Sequence, residues 1–110
     1  MVGAYLLLAV AIAAEVTGTI ALKFSEGFSR LGPSLVVVAG YGVAFFALAF
    51  VLKAGMPVGV AYAIWAAIGV ALIALIGALF LSEPLTPVAV GGLAMVIAGV
   101  VLLELGRSAA

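Results

Sequence analysis

Glu15 lies about midway along the long apolar run from Ala4 to Leu22. An acid at the centre of a hydrocarbon layer costs roughly 2.5–3.5 kcal/mol on insertion scales. Its side chain is too short to carry the charge out to a surface. Low-dielectric surroundings favour the neutral acid, whereas an approaching cation favours the ionised one. A carboxyl so placed can hold a proton and release it when a cation arrives. The plain alternative is an acid that stays protonated and only bonds a neighbouring helix, although charged groups at this depth usually mark substrate or proton pathways.

Residues three and four positions apart share a helical face. Leu8, Ala11 and Ile12 precede Glu15 on that face, and Gly18, Thr19 and Leu22 follow it. Ala11 and Gly18 leave room beside the carboxyl, and Thr19 adds a hydroxyl; small residues also permit close helix packing, and the two roles are compatible. Tyr41, Tyr62 and Trp65 also sit inside apolar runs. Tyr62 and Trp65 are three apart and are expected on one face. A desolvated cation gains about 2 kcal/mol or more over an aromatic face, and a phenol can bond a carboxylate. The competing role for such residues is an interfacial belt or packing, which suits Tyr5 better than Trp65.

The elements that must position these groups follow from composition. Of 110 residues, 69% are hydrophobic and 7% charged, with no cysteine or histidine, against roughly 25% charged in a soluble domain. Four basic and four acidic residues cannot coat a water-facing globule of this length. Disulfide frameworks, zinc sites and Cys/His nucleophile pairs are excluded, so no metal and no cofactor is expected, and no enzyme. The net charge of zero offers no reason to expect a nucleic-acid partner.

A membrane-spanning helix needs about 20 mostly apolar residues, so four spans would use nearly the whole chain. Charges and prolines divide it into runs at about 4–22, 34–52, 57–81 and 87–105, with Lys23–Pro33, Lys53–Pro57 and Ser82–Pro87 between them. The runs are continuously apolar, whereas barrel strands alternate, and only helices or closed barrels satisfy their backbone in lipid. The expected fold is therefore an all-α membrane protein, a single four-helix membrane domain over residues 1–110. The first run lacks a basic leader and contains an acid, so it is not expected to be a cleaved signal.

With four spans, Lys53 and Arg107 fall on one membrane face and Lys23 and Arg30 on the other. That balance gives the positive-inside rule nothing to act on. Dual topology, with copies inserted in both orientations and paired as an antiparallel homodimer, is the expected result. A fixed orientation set by other signals is the alternative. Lys23 is expected to anchor at the headgroups through its long stem, while Glu26, Arg30, Lys53 and Glu83 are loop charges. Small residues recur on the third run at Gly59, Ala63, Ala67 and Ala71, and on the fourth at Ala94 and Ala98, which suits close helix packing.

Three segments, Ala14-Glu15-Val16, Leu22-Lys23-Phe24-Ser25-Glu26-Gly27-Phe28 and Ala61-Tyr62-Ala63-Ile64-Trp65, together resemble the small multidrug resistance family, and the likeness extends over essentially the entire chain. The resemblance implies an antiparallel homodimer in the bacterial inner membrane that exchanges protons for hydrophobic or quaternary ammonium cations. It implies that Glu15 binds proton and substrate in competition. The implied substrate lining falls on Leu8, Ala11, Ile12, Gly18 and Thr19, with Tyr41, Phe45, Tyr62 and Trp65 from the later helices. A fourth-helix dimer contact is implied at Gly92, Met95, Val96 and Gly99.

Two positions depart from the family pattern. Ala66-Ala67-Ile68-Gly69 lacks the first glycine after the tryptophan, which removes backbone freedom where the third helix bends. Glu104 is atypical, and its spacing of three from Arg107 suits an interfacial ion pair of little weight. The guanidinium-exporting branch of the family carries a hydroxyl residue directly after the tryptophan, so Ala66 and Gly18-Thr19 favour the multidrug branch. A guanidinium-type exporter and a non-transporting accessory half of a heterodimer stand as alternatives. A proton-translocating rotor subunit fits less well, because there the acid lies in the second helix of a two-helix hairpin.

Overall fold

The computed structural model describes residues 2–109, with side chains described through Gly106. Four α-helices account for nearly all of them: α1 (Val2–Phe24), α2 (Leu31–Lys53), α3 (Val58–Phe80) and α4 (Pro87–Ala109). Each has a stretch long and apolar enough to cross a membrane. Every helix exposes large apolar side chains in the single chain: Leu6 and Val10 on α1, Leu31 and Phe46 on α2, Leu79 and Phe80 on α3, Val88 and Met95 on α4. A helix apolar all round belongs in a protein core or in lipid, and a chain of 110 residues has no core large enough for four. This is a multi-pass membrane protein.

The helices form two hairpins, Met1–Pro57 with α1 and α2, and Val58–Ala110 with α3 and α4. In the first, α1 buries Ala4, Leu8, Ala11, Ile12, Val16 and Gly18. Those positions recur at three and four and make one stripe. The corresponding stripe of α2 is Val37, Ala44, Ala47 and Val51. Mid-length, the two backbones come unusually close. A Cβ on Gly40 would lie 2.8 Å from the Ala14 carbonyl oxygen and 3.1 Å from Gly18 Cα. Glycine at both positions is what permits the approach.

The helix ends follow local chemistry. α2 begins at Leu31, three residues before the expected start at residue 34, because Pro33 falls in the first turn, where its missing N–H costs nothing. Arg30, with extended backbone, caps it, and Ser34 N–H makes the first bond to the Arg30 carbonyl at 3.1 Å. α4 begins at Pro87, as expected, under a Thr86 cap: Ala89 N–H donates to Thr86 Oγ1 at 3.1 Å and Val90 N–H to the Thr86 carbonyl at 3.0 Å. It runs to Ala109 rather than ending near residue 105. The α1–α2 turn is built on Ser25, fully buried. Its hydroxyl donates to the Leu22 carbonyl at 2.7 Å and accepts Phe28 N–H at 3.1 Å, and its carbonyl accepts Arg30 N–H. Glu26, Gly27 and Phe28 then take positive φ in succession.

In the second hairpin, α3 stays one continuous helix past Ala67. It ends where Leu81 and Glu83 N–H both donate to the Gly77 carbonyl at 3.0 Å and Ser82 turns to φ +55°. A Cβ on Gly77 would lie 2.5 Å from Glu83 Oε1, so this glycine makes room for a carboxylate folded back over the last turn. An apolar cleft of about 290 Å³ separates part of α3 from α4, bounded by Ala67 and Ala71 on one side and Ile97 and Val101 on the other. The looser fit contrasts with the glycine contact of the first hairpin. No residue in the spanning stretch of α4 is buried.

Candidate functional site

Glu15 lies on the buried stripe of α1 and is itself only partly exposed. One turn later on the same face, Thr19 Oγ1 donates to Glu15 Oε1 at 2.8 Å. From α2, 22 residues away in sequence, Tyr41 brings its hydroxyl to 2.6 Å from the same Thr19 oxygen. The glycine contact explains how. A Cβ at Gly18 would sit 3.4 Å from Tyr41 Cδ2 and Cε2, so the Tyr41 ring lies against the bare backbone of α1 and its hydroxyl reaches the next residue. Acid, alcohol and phenol therefore form one connected group. All three are part-buried, and a hydrogen bond there counts for more than in water.

The other expected lining residues fall into three settings. Leu8, Ala11 and Ile12 are buried on the Glu15 stripe, with exposures of 3% or less. Phe45, one turn beyond Tyr41 on α2, is 59% exposed. On α3, Trp65 is buried at 8% while Tyr62 is 66% exposed. The expected common face for Tyr62 and Trp65 is thus only partly realised: residues three apart differ by about 60° around a helix, enough to straddle the edge of a buried face.

Gly92, Met95, Val96 and Gly99 all lie on α4, and none is buried. Among the described residues, and apart from the helix's own backbone, nothing stands within 4 Å of where a Cβ would lie on Gly92 or Gly99. The expected Glu104–Arg107 pair lies outside the described residues, because the Arg107 side chain is not among them. Glu104 Oε1 is shielded from solvent and has no hydrogen-bond partner among the described residues. Lys53 in the last turn of α2 sits 5.8 Å over the Phe50 ring, a cation–π contact at a helix C-terminus, where a cation is favoured. Thr17, exposed on the outer side of α1, donates to the Ala13 carbonyl at 2.8 Å, which satisfies its hydroxyl within the helix.

Sequence reasoning placed Glu15, Thr19 and Tyr41 as separate candidates and missed that they bond in series. The only signal for this was the pair Gly18 and Gly40, each one residue before a hydroxyl-bearing side chain. Ser25 was missed as an organising residue, since a lone serine in a loop carries no spacing pattern.

Comparison with known proteins supports the same assignment. The family model described as small multidrug resistance protein matches residues 3–103. The multidrug resistance protein mmr of Mycolicibacterium paratuberculosis is 50% identical over 92% of this chain and 94% of its own. The quaternary ammonium compound-resistance proteins QacF of Klebsiella aerogenes and QacE of Escherichia coli are each 48% identical over 92% of this chain and 91% of theirs. Four apolar helices, a mid-span acid and likeness along almost the full length converge on one conclusion: this chain belongs to the small multidrug resistance family.

Proposed function

We propose that the protein is a proton-coupled antiporter that exports lipophilic and quaternary ammonium cations, with Glu15 as the group that exchanges proton for substrate. The observation that carries this reading is the Glu15 carboxyl itself, midway along a membrane-spanning helix, part-buried and held by Thr19. An acid there is costly unless it works. Relatives named for multidrug and quaternary ammonium resistance support the substrate class, and the absence of a hydroxyl at Ala66 favours it over guanidinium.

One four-helix chain is too thin to enclose a cation pathway, so the working unit is a dimer. Balanced basic residues on the two membrane faces support copies inserted in both orientations and paired antiparallel, in the inner membrane of a bacterium. α4, with no buried residue in its spanning stretch, is the face for a second copy, through Gly92, Met95, Val96 and Gly99. In such a dimer two Glu15 carboxyls share a chamber near the midplane, where two negative charges disfavour each other. Leu8, Ala11, Ile12, Gly18 and Thr19 line it with the aromatic groups Tyr41, Phe45, Tyr62 and Trp65. An incoming cation stabilises the ionised pair and displaces protons. The site then opens to the opposite face, where proton binding expels the cation. Two chains that exchange conformations make the inward-open and outward-open states nearly equal in energy, as inverted repeats do.

The test is reconstitution of this chain alone in vesicles, with proton flux followed on addition of a quaternary ammonium or guanidinium ion. Wild type is expected to release protons for quaternary ammonium, and Glu15→Gln to release none. Continued proton-driven export by Glu15→Gln refutes the coupling role, and flux with guanidinium alone moves the protein to the other branch.

A further inference from the structure

We propose that Thr19 is a positioning residue that couples the protonation state of Glu15 to the direction in which the Tyr41 phenol donates its hydrogen bond. The inference rests on Glu15 as the proton- and cation-exchanging group and deepens that reading.

The argument is one of hydrogen counting. A threonine hydroxyl has one hydrogen, yet Thr19 Oγ1 stands 2.8 Å from Glu15 Oε1 and 2.6 Å from Tyr41 Oη. An ionised carboxylate only accepts. With Glu15 charged, the Thr19 hydrogen therefore points at Oε1, and the Tyr41 hydrogen must fill the second bond. The chain runs from Tyr41 through Thr19 to Glu15, and the Tyr41 oxygen keeps its lone pairs for a cation. Hydrogen bonds to an ionised acceptor are roughly twice as strong as neutral ones, which holds this order in place.

Protonation of Oε1 reverses it. The acid becomes a donor, and Thr19 Oγ1 is the acceptor at hydrogen-bond distance. Thr19 then turns its hydrogen to Tyr41 Oη, and the Tyr41 hydrogen swings out of the chain. Hydroxyl hydrogens rotate but no existing O–H bond breaks; the one new bond is that of the proton arriving on Glu15. Tyr41 thus keeps both its lone pairs free for a cation while Glu15 is charged, and gives one up and presents a donor once Oε1 is protonated. Carboxyl and phenol change from cation-accepting to cation-rejecting together.

The packing keeps the three groups in register. Gly40 seats α2 on the Ala14 carbonyl, and Gly18 carries the Tyr41 ring, so the phenol is held over Thr19. Tyr41 is the titratable group that α2 turns toward Glu15. Lys53 lies twelve residues further along α2, about 18 Å away along the axis. On α1 itself, Tyr5 and Lys23 lie ten and eight residues from Glu15, about 15 and 12 Å along the axis.

The experiment labels the tyrosines with ¹³C at Cζ, whose resonance reports the bonding of the phenol, in the full chain in lipid bilayers. Tyr41→Phe assigns the signal among the three tyrosines. In wild type the Tyr41 resonance is expected to move over the same pH interval in which tetraphenylphosphonium binding releases protons. It is expected to stay flat in Glu15→Gln and in Thr19→Val, which replaces the hydroxyl by a methyl of similar size, and to move again in Thr19→Ser. Thr19→Val is expected to weaken tetraphenylphosphonium binding about tenfold, the loss of one bond to a charged group, with Thr19→Ser close to wild type. A Tyr41 signal that still follows Glu15 in Thr19→Val overturns the proposal. So does a flat wild-type signal, which needs no Thr19 variant to fold. If wild type binds cation and releases protons while Tyr41 stays flat, the relay alone fails. If Tyr41 follows Glu15 but no cation binds, the transport reading alone fails.

Discussion

Glu15 on α1 and Ser25 in the turn that follows it answer to different demands, one functional and one structural. Glu15 is an acid kept where acids are expensive, and its replacement tests function. Glu15→Asp is expected to retain slower exchange with a displaced pH optimum, because the shorter side chain moves the charge away from Thr19 Oγ1; cation-driven proton flux across a pH series checks this. Ser25 is a structural residue. Ser25 is fully buried, and Ser25→Ala removes the acceptor of the part-buried Phe28 N–H bond. The expected cost is about 1 kcal/mol, measured as a lowered thermal midpoint in detergent. Glu26 is the converse case: its φ of 50° is a conformation that costs an L-residue roughly 1–2 kcal/mol. Glu26→Gly is expected to raise stability by up to about that amount, read from the same melting curves.

The contact between α1 and α2 is decided by absent side chains. A methyl on Gly40 meets the Ala14 carbonyl oxygen at 2.8 Å and Gly18 Cα at 3.1 Å, both backbone atoms that cannot swing aside. Gly40→Ala is therefore expected to force the helices apart, at about 1–3 kcal/mol for overpacking. It is also expected to lift Tyr41 off Thr19, so cation affinity falls along with stability. Gly42 offers the control, since among the described residues no atom beyond the helix's own backbone lies within 4 Å of a Cβ there. Gly42→Ala is expected to leave both unchanged. Thermal unfolding and cation titration of the two variants side by side separate close approach from general glycine content.

At the scale of the whole molecule, the informative feature is α4, whose spanning stretch holds no buried residue among those described. If a second copy covers it, Gly99→Leu puts a bulky side chain where Gly99 now has open space. This variant is expected to shift the protein from dimer to monomer in crosslinking and light scattering without unfolding the single chain. The even distribution of Lys23, Arg30, Lys53 and Arg107 makes a second expectation: a C-terminal tag reached by an impermeant reagent from both faces of the membrane. Labelling from one face only removes the dual-topology proposal and leaves the Glu15 site untouched.

Hydropathy and charge are local properties, which is why the sequence alone determined that the chain is four apolar helices, where the charges interrupt them, and that one acid is stranded at mid-span. The turn Ser82–Pro87 before α4 was legible for the same reason, since two prolines break a helix locally, whereas the Thr86 cap was not read from it. The bond from Tyr41 to Thr19 spans 22 residues, and no periodicity records which face of α2 meets which face of α1. Only the tertiary structure decided it, because the apolar faces of these helices are nearly equivalent by composition. What singles out one pair of faces is the missing Cβ at Gly18 and Gly40, a steric fact that exists only once the two backbones meet.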